Sequence, residues 1–346
     1  MILEAIRLRY FRNFEDYILH LNSGKNIIIG NNGAGKTNIL EALALPMSHL
    51  LEGNPLYHVQ RGYNITSLQY TFNTSQLIYS YDSQVSKKKY ILEQKGVSKQ
   101  TFQNNYPHII SFHPHMMNLL YGSPSARREF LDDLLIQAFP EYQKKLTQYK
   151  KIITSRNKVL ARISEGKSDL GELTFWDSEY IICCGEIYKY RDLIIDFLSN
   201  HIHYMKEYFF GKVEKIGFTL VSKTPKYNKE KYLTEYIKEN QRKEILQRKT
   251  LRGPHLDDFE IHIDHTPLVH YASRGEVKSI LLGLKFLGGD FIIQHSSKQD
   301  ILFLIDDILS ELDDSHIKCI YSYIGGRQCI ITSIHDIDVE AHKIYI

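Results

Sequence analysis

Apolar and polar residues alternate along the first hundred positions with the period of two that turns one face of a strand inward and the other outward. β-Branched and aromatic residues gather at the same places. Strands are therefore predicted at 2–9, 17–22 and 26–30, and again at 67–73, 76–83 and 88–94. From about residue 118 to 250 the period lengthens. Leu, Ile and Tyr recur at helical spacing among charges in SARREFLDDLLIQAF, QKKLTQYKKIITSRNKVLARI and FWDSEYIICCGEIYKYRDLIIDFLSNHIHYMKEYFF, which predicts long helices. The last hundred residues return to mixed character, with a helix near 276–288, a fully apolar strand ILFLID at 301–306 and a second buried strand CIITS at 329–333. The expected organisation is an α/β domain formed by 1–117 and 251–346, interrupted by a mainly helical lobe at 118–250. The sequence contains no internal repeats and no heptads long enough for a coiled-coil arm.

One segment of this frame carries chemistry on its own. Gly30-Asn31-Asn32-Gly33-Ala34-Gly35-Lys36-Thr37 fits G-x-x-x-x-G-K-[ST] and lies between the apolar run NIII and the helix-forming run TNILEALAL. In such a loop the glycines let backbone N–H groups turn inward around phosphate oxygens. Lys36 offers a charge to the β and γ phosphates of ATP, and the Thr37 hydroxyl is a ligand for Mg2+.

Two further segments fit the same site. The strand ILFLID runs into two carboxylates, Asp306 and Asp307, which a buried strand tip tolerates only for a reason. Alone, such a pair is an ordinary helix cap. Beside a phosphate-binding loop, Asp306 reads as the magnesium partner and Asp307 as the carboxylate that orients or deprotonates the attacking water. The turn Tyr271-Ala272-Ser273-Arg274-Gly275-Glu276 opens another apolar helix, where Ser273 and Gly275 can hold an anionic oxygen or simply cap the helix. Its place some thirty residues ahead of the Asp306 strand is that of an ABC signature motif, and Ser310-Glu311-Leu312-Asp313 follows as a D-loop would.

Composition narrows the class without naming it. The 346 residues include no run of eighteen apolar positions, and MILEAIRLRYFRNFED mixes charge into every turn, so neither a membrane span nor a signal peptide is expected and the location expected is cytoplasmic. The four cysteines lack C-x-x-C or disulfide-framework spacing, and the sixteen histidines lack metal-site spacing. Net charge is only +3, yet residues 141–170 hold eight Lys or Arg against three acids, and 201–250 hold twelve against six. Those stretches are either solvated helix faces or DNA-contacting ones.

Loop, helical insertion, signature turn and paired carboxylates occur in the order found in the SMC-like DNA-repair ATPases. Within that group YFRNFEDY, YGSPSARREFLDDLL, YKKIITSRNKVL, LTFWDSEY, RGPHLDDFEI and LIDDILSELD resemble motifs of the RecF family in the same order, over nearly the whole chain. The resemblance implies an ABC-type P-loop ATPase head, a mixed sheet with helices, and slow ATP hydrolysis. It also implies an ATP-dependent homodimer in which the Ser273 turn of one copy closes on the nucleotide at Lys36 of the other. Work on single-stranded DNA gaps or double-stranded junctions, with RecR and possibly RecO, to load a recombinase in repair and the SOS response follows from the same resemblance. Arg12 and Asn13 match the family's segment beside the nucleotide. Arg127 and Arg128 match SPSARREF, where they either pair with Glu129, Asp132 or Asp133 or contact the phosphate backbone. Three departures bear on hydrolysis: Glu276 in place of Gln, Leu256 in place of a basic residue, and His113-Pro114-His115 in place of an acidic segment. His335, after CIITS, is either a γ-phosphate sensor or an ordinary loop histidine. Two other readings remain open at this stage, a small-molecule P-loop kinase or NTPase and a non-hydrolysing DNA-binding scaffold.

Overall fold

The computed structural model describes residues 1–47, 54–205, 216–263, 266–270, 274–307, 314–336 and 339–346, with the side chains of 114, 115, 205, 274, 276, 314 and 315 left out. Along the chain the elements are β1 (Leu3–Phe11), β2 (Phe14–His20), β3 (Lys25–Ile29), α1 (Lys36–Ala44), β4 (Ile65–Phe72), β5 (Gln76–Asp82), β6 (Lys87–Leu92), β7 (Lys95–Gly96), α2 (Lys99–Asn104) and β8 (His108–Phe112). There follow α3 (Asn118–Tyr121), α4 (Pro124–Ala138), α5 (Pro140–Ser164), α6 (Leu170–His201), β9 (Ile216–Val221), α7 (Lys229–Gln247), β10 (Asp258–Ile263) and β11 (Thr266–Pro267). The chain ends with α8 (Arg274–His295), β12 (Ile301–Asp306), α9 (Asp314–Ile324), β13 (Cys329–Ser333) and β14 (His342–Tyr345). It divides into two compact units, one of Met1–Met117 with Arg274–Ile346 and the other of Asn118–Ser273.

The first unit holds two sheets. The antiparallel one has the order β2-β1-β4-β5-β6-β7, and the parallel one the order β14-β3-β13-β12-β8. Between them lies an apolar core that takes Leu8, Leu68 and Leu77 from the antiparallel sheet, Ile28, Leu304 and Ile330 from the parallel one, and Ile39 and Leu43 from α1. Two buried tyrosines supply the polar closure of that core. The hydroxyls of Tyr70 and Tyr106 donate to the carbonyls of Ala42 and Leu43 at 2.8 Å each, satisfying α1 carbonyls that lack a helical partner. The period-two alternation correctly located all six early strands. Two parallel strands escaped it: β8 and β14 are short, and HIISF is buried at four of its five positions, so no alternation marks it.

The second unit departs from the helical expectation in one respect. Beside α4 to α7 it carries a three-stranded antiparallel sheet, β11-β10-β9. β9 falls within the stretch expected to be helical, and its partner β10 lies beyond the expected boundary at 250. Pairing from Asp258↔Val221 to Ile263↔Ile216 therefore brings 251–273 into this unit. A network of buried charge organises the helices. Arg156 of α5 donates from Nε to Asp177 of α6 at 2.8 Å, from Nη1 to Thr250 Oγ1 at 2.7 Å and from Nη2 to Glu244 of α7 at 2.5 Å. Arg156 and Glu244 are both wholly buried. The other Glu244 oxygen accepts the Leu251 N–H at 2.8 Å, so this carboxylate also fixes the turn leading to β10.

Removing one partner of a buried ion pair leaves a charge without compensation, a loss of about 3–5 kcal/mol. Glu244→Ala is therefore expected to lower the melting temperature of the full chain markedly, whereas Lys226→Ala, which breaks an exposed pair with Asp196, should leave it nearly unchanged. Calorimetry on both variants checks this; equal melting temperatures would contradict the role given to the network.

Candidate nucleotide-binding site

Parallel pairing assembles the site. β13 lies between β3 and β12, with Thr332 opposite both Ile28 and Asp306. The loop that leaves β3 at Gly30 and the carboxylates that end β12 therefore emerge at the same edge of the sheet. This is the edge at which parallel α/β sheets place their ligands.

The loop turns through two glycines. Gly33 and Gly35 have φ of 84° and 108°, a left-handed region open to glycine, and Gly35 immediately precedes α1. Lys36 is nearly buried and its ammonium donates to the carbonyls of Gly30 and Asn31 at 2.6 and 3.0 Å, so the side chain arches back along the loop. The Thr37 hydroxyl lies 3.0 and 3.2 Å from the two carboxylate oxygens of Asp306. A hydroxyl and a carboxylate held at one point are hard oxygen donors of the kind Mg2+ takes while its remaining positions go to water and phosphate. Thr37 and Asp306 thus fit that ion, and the loop with Lys36 fits a polyphosphate. Asp307 follows with φ 49°.

The turn between β1 and β2 presses on this loop. Asn13 donates to the Ala34 carbonyl at 3.1 Å and accepts from Asn38 of α1 at 2.7 Å. Here Asn13 acts on the loop through its backbone. Arg12, at φ 55°, donates from Nη2 to Glu41 of α1 at 2.7 Å, and its N–H donates to the His58 carbonyl at 2.9 Å. Burial first, then the charges of Arg12 and Lys88, lowers the pKa of His58 to about 4, so that ring stays neutral. Asn38, Glu41 and Thr332 are site residues that sequence reasoning missed. Helical spacing from Thr37 could have suggested Glu41, four positions on; Asn38 needed the contact with Asn13, and Thr332 the strand register.

Other expectations land differently. Ser273, the side chain of Glu276 and the whole of 308–313 lie outside what is described; Gly275 is exposed in the first turn of α8 and its carbonyl accepts the Ser279 hydroxyl at 3.0 Å. The Ser333 hydroxyl donates to the His335 carbonyl at 2.6 Å and accepts the His335 N–H at 3.2 Å, a local turn. Arg127 pairs with neither Glu129, Asp132 nor Asp133. It forks onto both oxygens of Asp258 at 2.5 and 2.9 Å and donates to the carbonyls of Leu119, Leu120 and Gly122. Arg128 donates to the Asp257 carbonyl at 2.8 Å. Arg127 spends its donors on the fold, so it is a structural residue; the segment it grips, far along the chain, could not be found from helical spacing.

Residues 2–344 match the model of the RecF/RecN/SMC N terminal domain. The DNA replication and repair protein RecF of Heliobacterium modesticaldum is 30% identical over 97% of this chain and 93% of its own length. That of Clostridium botulinum strain Langeland is 30% identical over 99% and 96%. Among solved structures, the recombination mediator protein RecF-ATP of the RecFOR pathway superposes with a TM-score of 0.89 at 23% identity, covering 99% of this chain and 95% of that one. An Smc head bound to the C-terminal winged-helix domain of ScpA superposes with a TM-score of 0.53 at 14% identity, over 97% and 90%.

A methyl group at Gly35 would lie 2.6 Å from both Asn13 Nδ2 and Phe14 Cζ, at a φ that side chains resist. Gly35→Ala is expected to weaken ATP binding by about five- to 150-fold, because strain of about 1–3 kcal/mol must be relieved by moving the loop. Titration with a fluorescent ATP analogue measures it, and wild-type affinity in the variant would contradict the loop geometry.

Proposed function

Because the chain belongs to the RecF family of the RecF/RecN/SMC proteins, we propose that it is an ATP-binding recombination mediator of DNA replication and repair whose work is conformational. The observation that carries this reading is the meeting of Thr37 with Asp306 across the parallel sheet, beside a loop shaped for phosphates. In this reading the N–H groups of residues 33–37 and the Lys36 ammonium take the β and γ phosphates of ATP. Thr37 and Asp306 hold Mg2+, which when bound neutralises charge on the phosphate oxygens. Asp307 accepts a proton from water as the water oxygen bonds to the γ-phosphorus and the bond to the ADP oxygen breaks, leaving ADP and phosphate. Lys36 stabilises the charge that develops.

Ser273 and Gly275 complete the site in the proposal, contributed by a second copy of the chain. One nucleotide then joins two protomers, and hydrolysis releases them. The dimer acts on DNA at single-stranded gaps or double-stranded junctions together with RecR, and with RecO, in the cytoplasm. Exposed lysines of the second unit, among them Lys150 of α5 and Lys238 and Lys243 of α7, offer the phosphate contacts.

Sedimentation velocity with ATP and Mg2+ tests the assembly, using Asp307→Asn to slow turnover. A dimer that requires ATP and is lost in Lys36→Ala is the expected result. A protein that stays monomeric under those conditions would overturn the shared-nucleotide reading.

A further inference from the structure

Thr332 has no part in the chemistry above, yet it lies at its geometric centre. It is 1% exposed, at the end of β13, and pairs in register with Asp306. Its hydroxyl donates to Asp306 Oδ1 at 2.8 Å and accepts the Asp307 N–H at 3.0 Å. A hydroxyl has one proton to give, so committing it to the carboxylate leaves its lone pairs for the amide. The same oxygen thus constrains both carboxylate residues.

We propose that Thr332 is the positioning residue of this site: it fixes the rotamer of Asp306 and holds Asp307 in the backbone conformation that sets the direction of its side chain. Asp307 has φ 49°, in the left-handed region that residues with a Cβ adopt infrequently. Return to an ordinary φ would rotate the Asp307 side chain away from the line it now takes from the strand end. The hydrogen bond from its N–H to Thr332 opposes that return. Asp306 is held from two sides, by Thr37 of α1 and by Thr332 of the neighbouring strand, so its carboxylate cannot turn without breaking one of the two contacts. Threonine suits the task because its β-branched side chain has few rotamers in a strand.

The inference rests on the proposed nucleotide chemistry for its consequence in turnover, but its structural half is tested without it. Thr332→Val keeps the shape and removes the hydroxyl, Thr332→Ser keeps the hydroxyl, and Thr332→Ala serves if the valine variant does not fold. In the protein free of nucleotide and metal, amide exchange at Asp307 is expected to accelerate about tenfold in the valine variant and to stay near wild type in the serine one. With ATP and Mg2+, kcat for phosphate release should fall in the valine variant with KM little changed, and serine should restore it. Wild-type exchange at Asp307 in both Val and Ala variants would overturn the proposal, as would a rise in KM at unchanged kcat. Absence of turnover in the wild type would count against the nucleotide chemistry alone, since the exchange measurement still decides the role of Thr332.

Discussion

Parallel register between β3, β13 and β12 is the constraint on which the site depends. It brings the start of the phosphate loop and the end of the Asp306 strand to one sheet edge, and the two hydroxyls of Thr37 and Thr332 then lock the Asp306 carboxylate between α1 and β13. No residue of this group is near the others in sequence. A slip of one position between β13 and β12 would turn Thr332 to the face opposite the Asp306 side chain and leave that carboxylate with the Thr37 contact alone.

The rest of the first unit serves to hold the loop against that edge. The β1–β2 turn does so through Asn13, whose amide bonds the Ala34 carbonyl, and the lack of a side chain at Gly35 lets the turn approach so closely. The second unit spends its buried charges differently. Arg156 is clamped by the carboxylates of Asp177 and Glu244 and the hydroxyl of Thr250, Arg127 by Asp258 and three carbonyls, and Arg191 by Asp132 and the Pro254 carbonyl, and between them they fix the helices and the 250–258 segment. Within that segment Gly253, at φ 128°, lets the chain pass against the hydroxyls of Tyr180 and Tyr149. Leu256 is half exposed on the same segment, so its departure from the family's basic residue changes the surface and not the packing.

Much of this was legible in the sequence because its signals are local. The loop motif, its flanking strand and helix, and the run of apolar residues into Asp306 and Asp307 each announce themselves within a dozen positions. What was not legible depends on distant partners. Arg127 looked like a helix-surface charge until its fork with Asp258 placed it inside the fold. β9 hid within a stretch dominated by helical spacing, since a six-residue strand carries too few turns of either period to stand against its neighbours. Thr332 could be seen at the end of CIITS, but its meaning came only from the residue opposite it. Asn13 and Arg12, expected beside the nucleotide, bond Ala34 and Asn38 in the one case and Glu41 and His58 in the other, contacts that no local pattern marks.

The central claim is that Asp306 and Thr37 form one cation-holding point that strengthens the grip on ATP. Calorimetric titration of ATP into the protein, with Mg2+ and with excess chelator, measures it most directly when repeated on Asp306→Asn. The account predicts that Mg2+ tightens binding in the wild type and that the variant loses this dependence while keeping the weaker, metal-independent affinity. Equal affinities with and without Mg2+ in the wild type, or an undiminished Mg2+ effect in the variant, would contradict it.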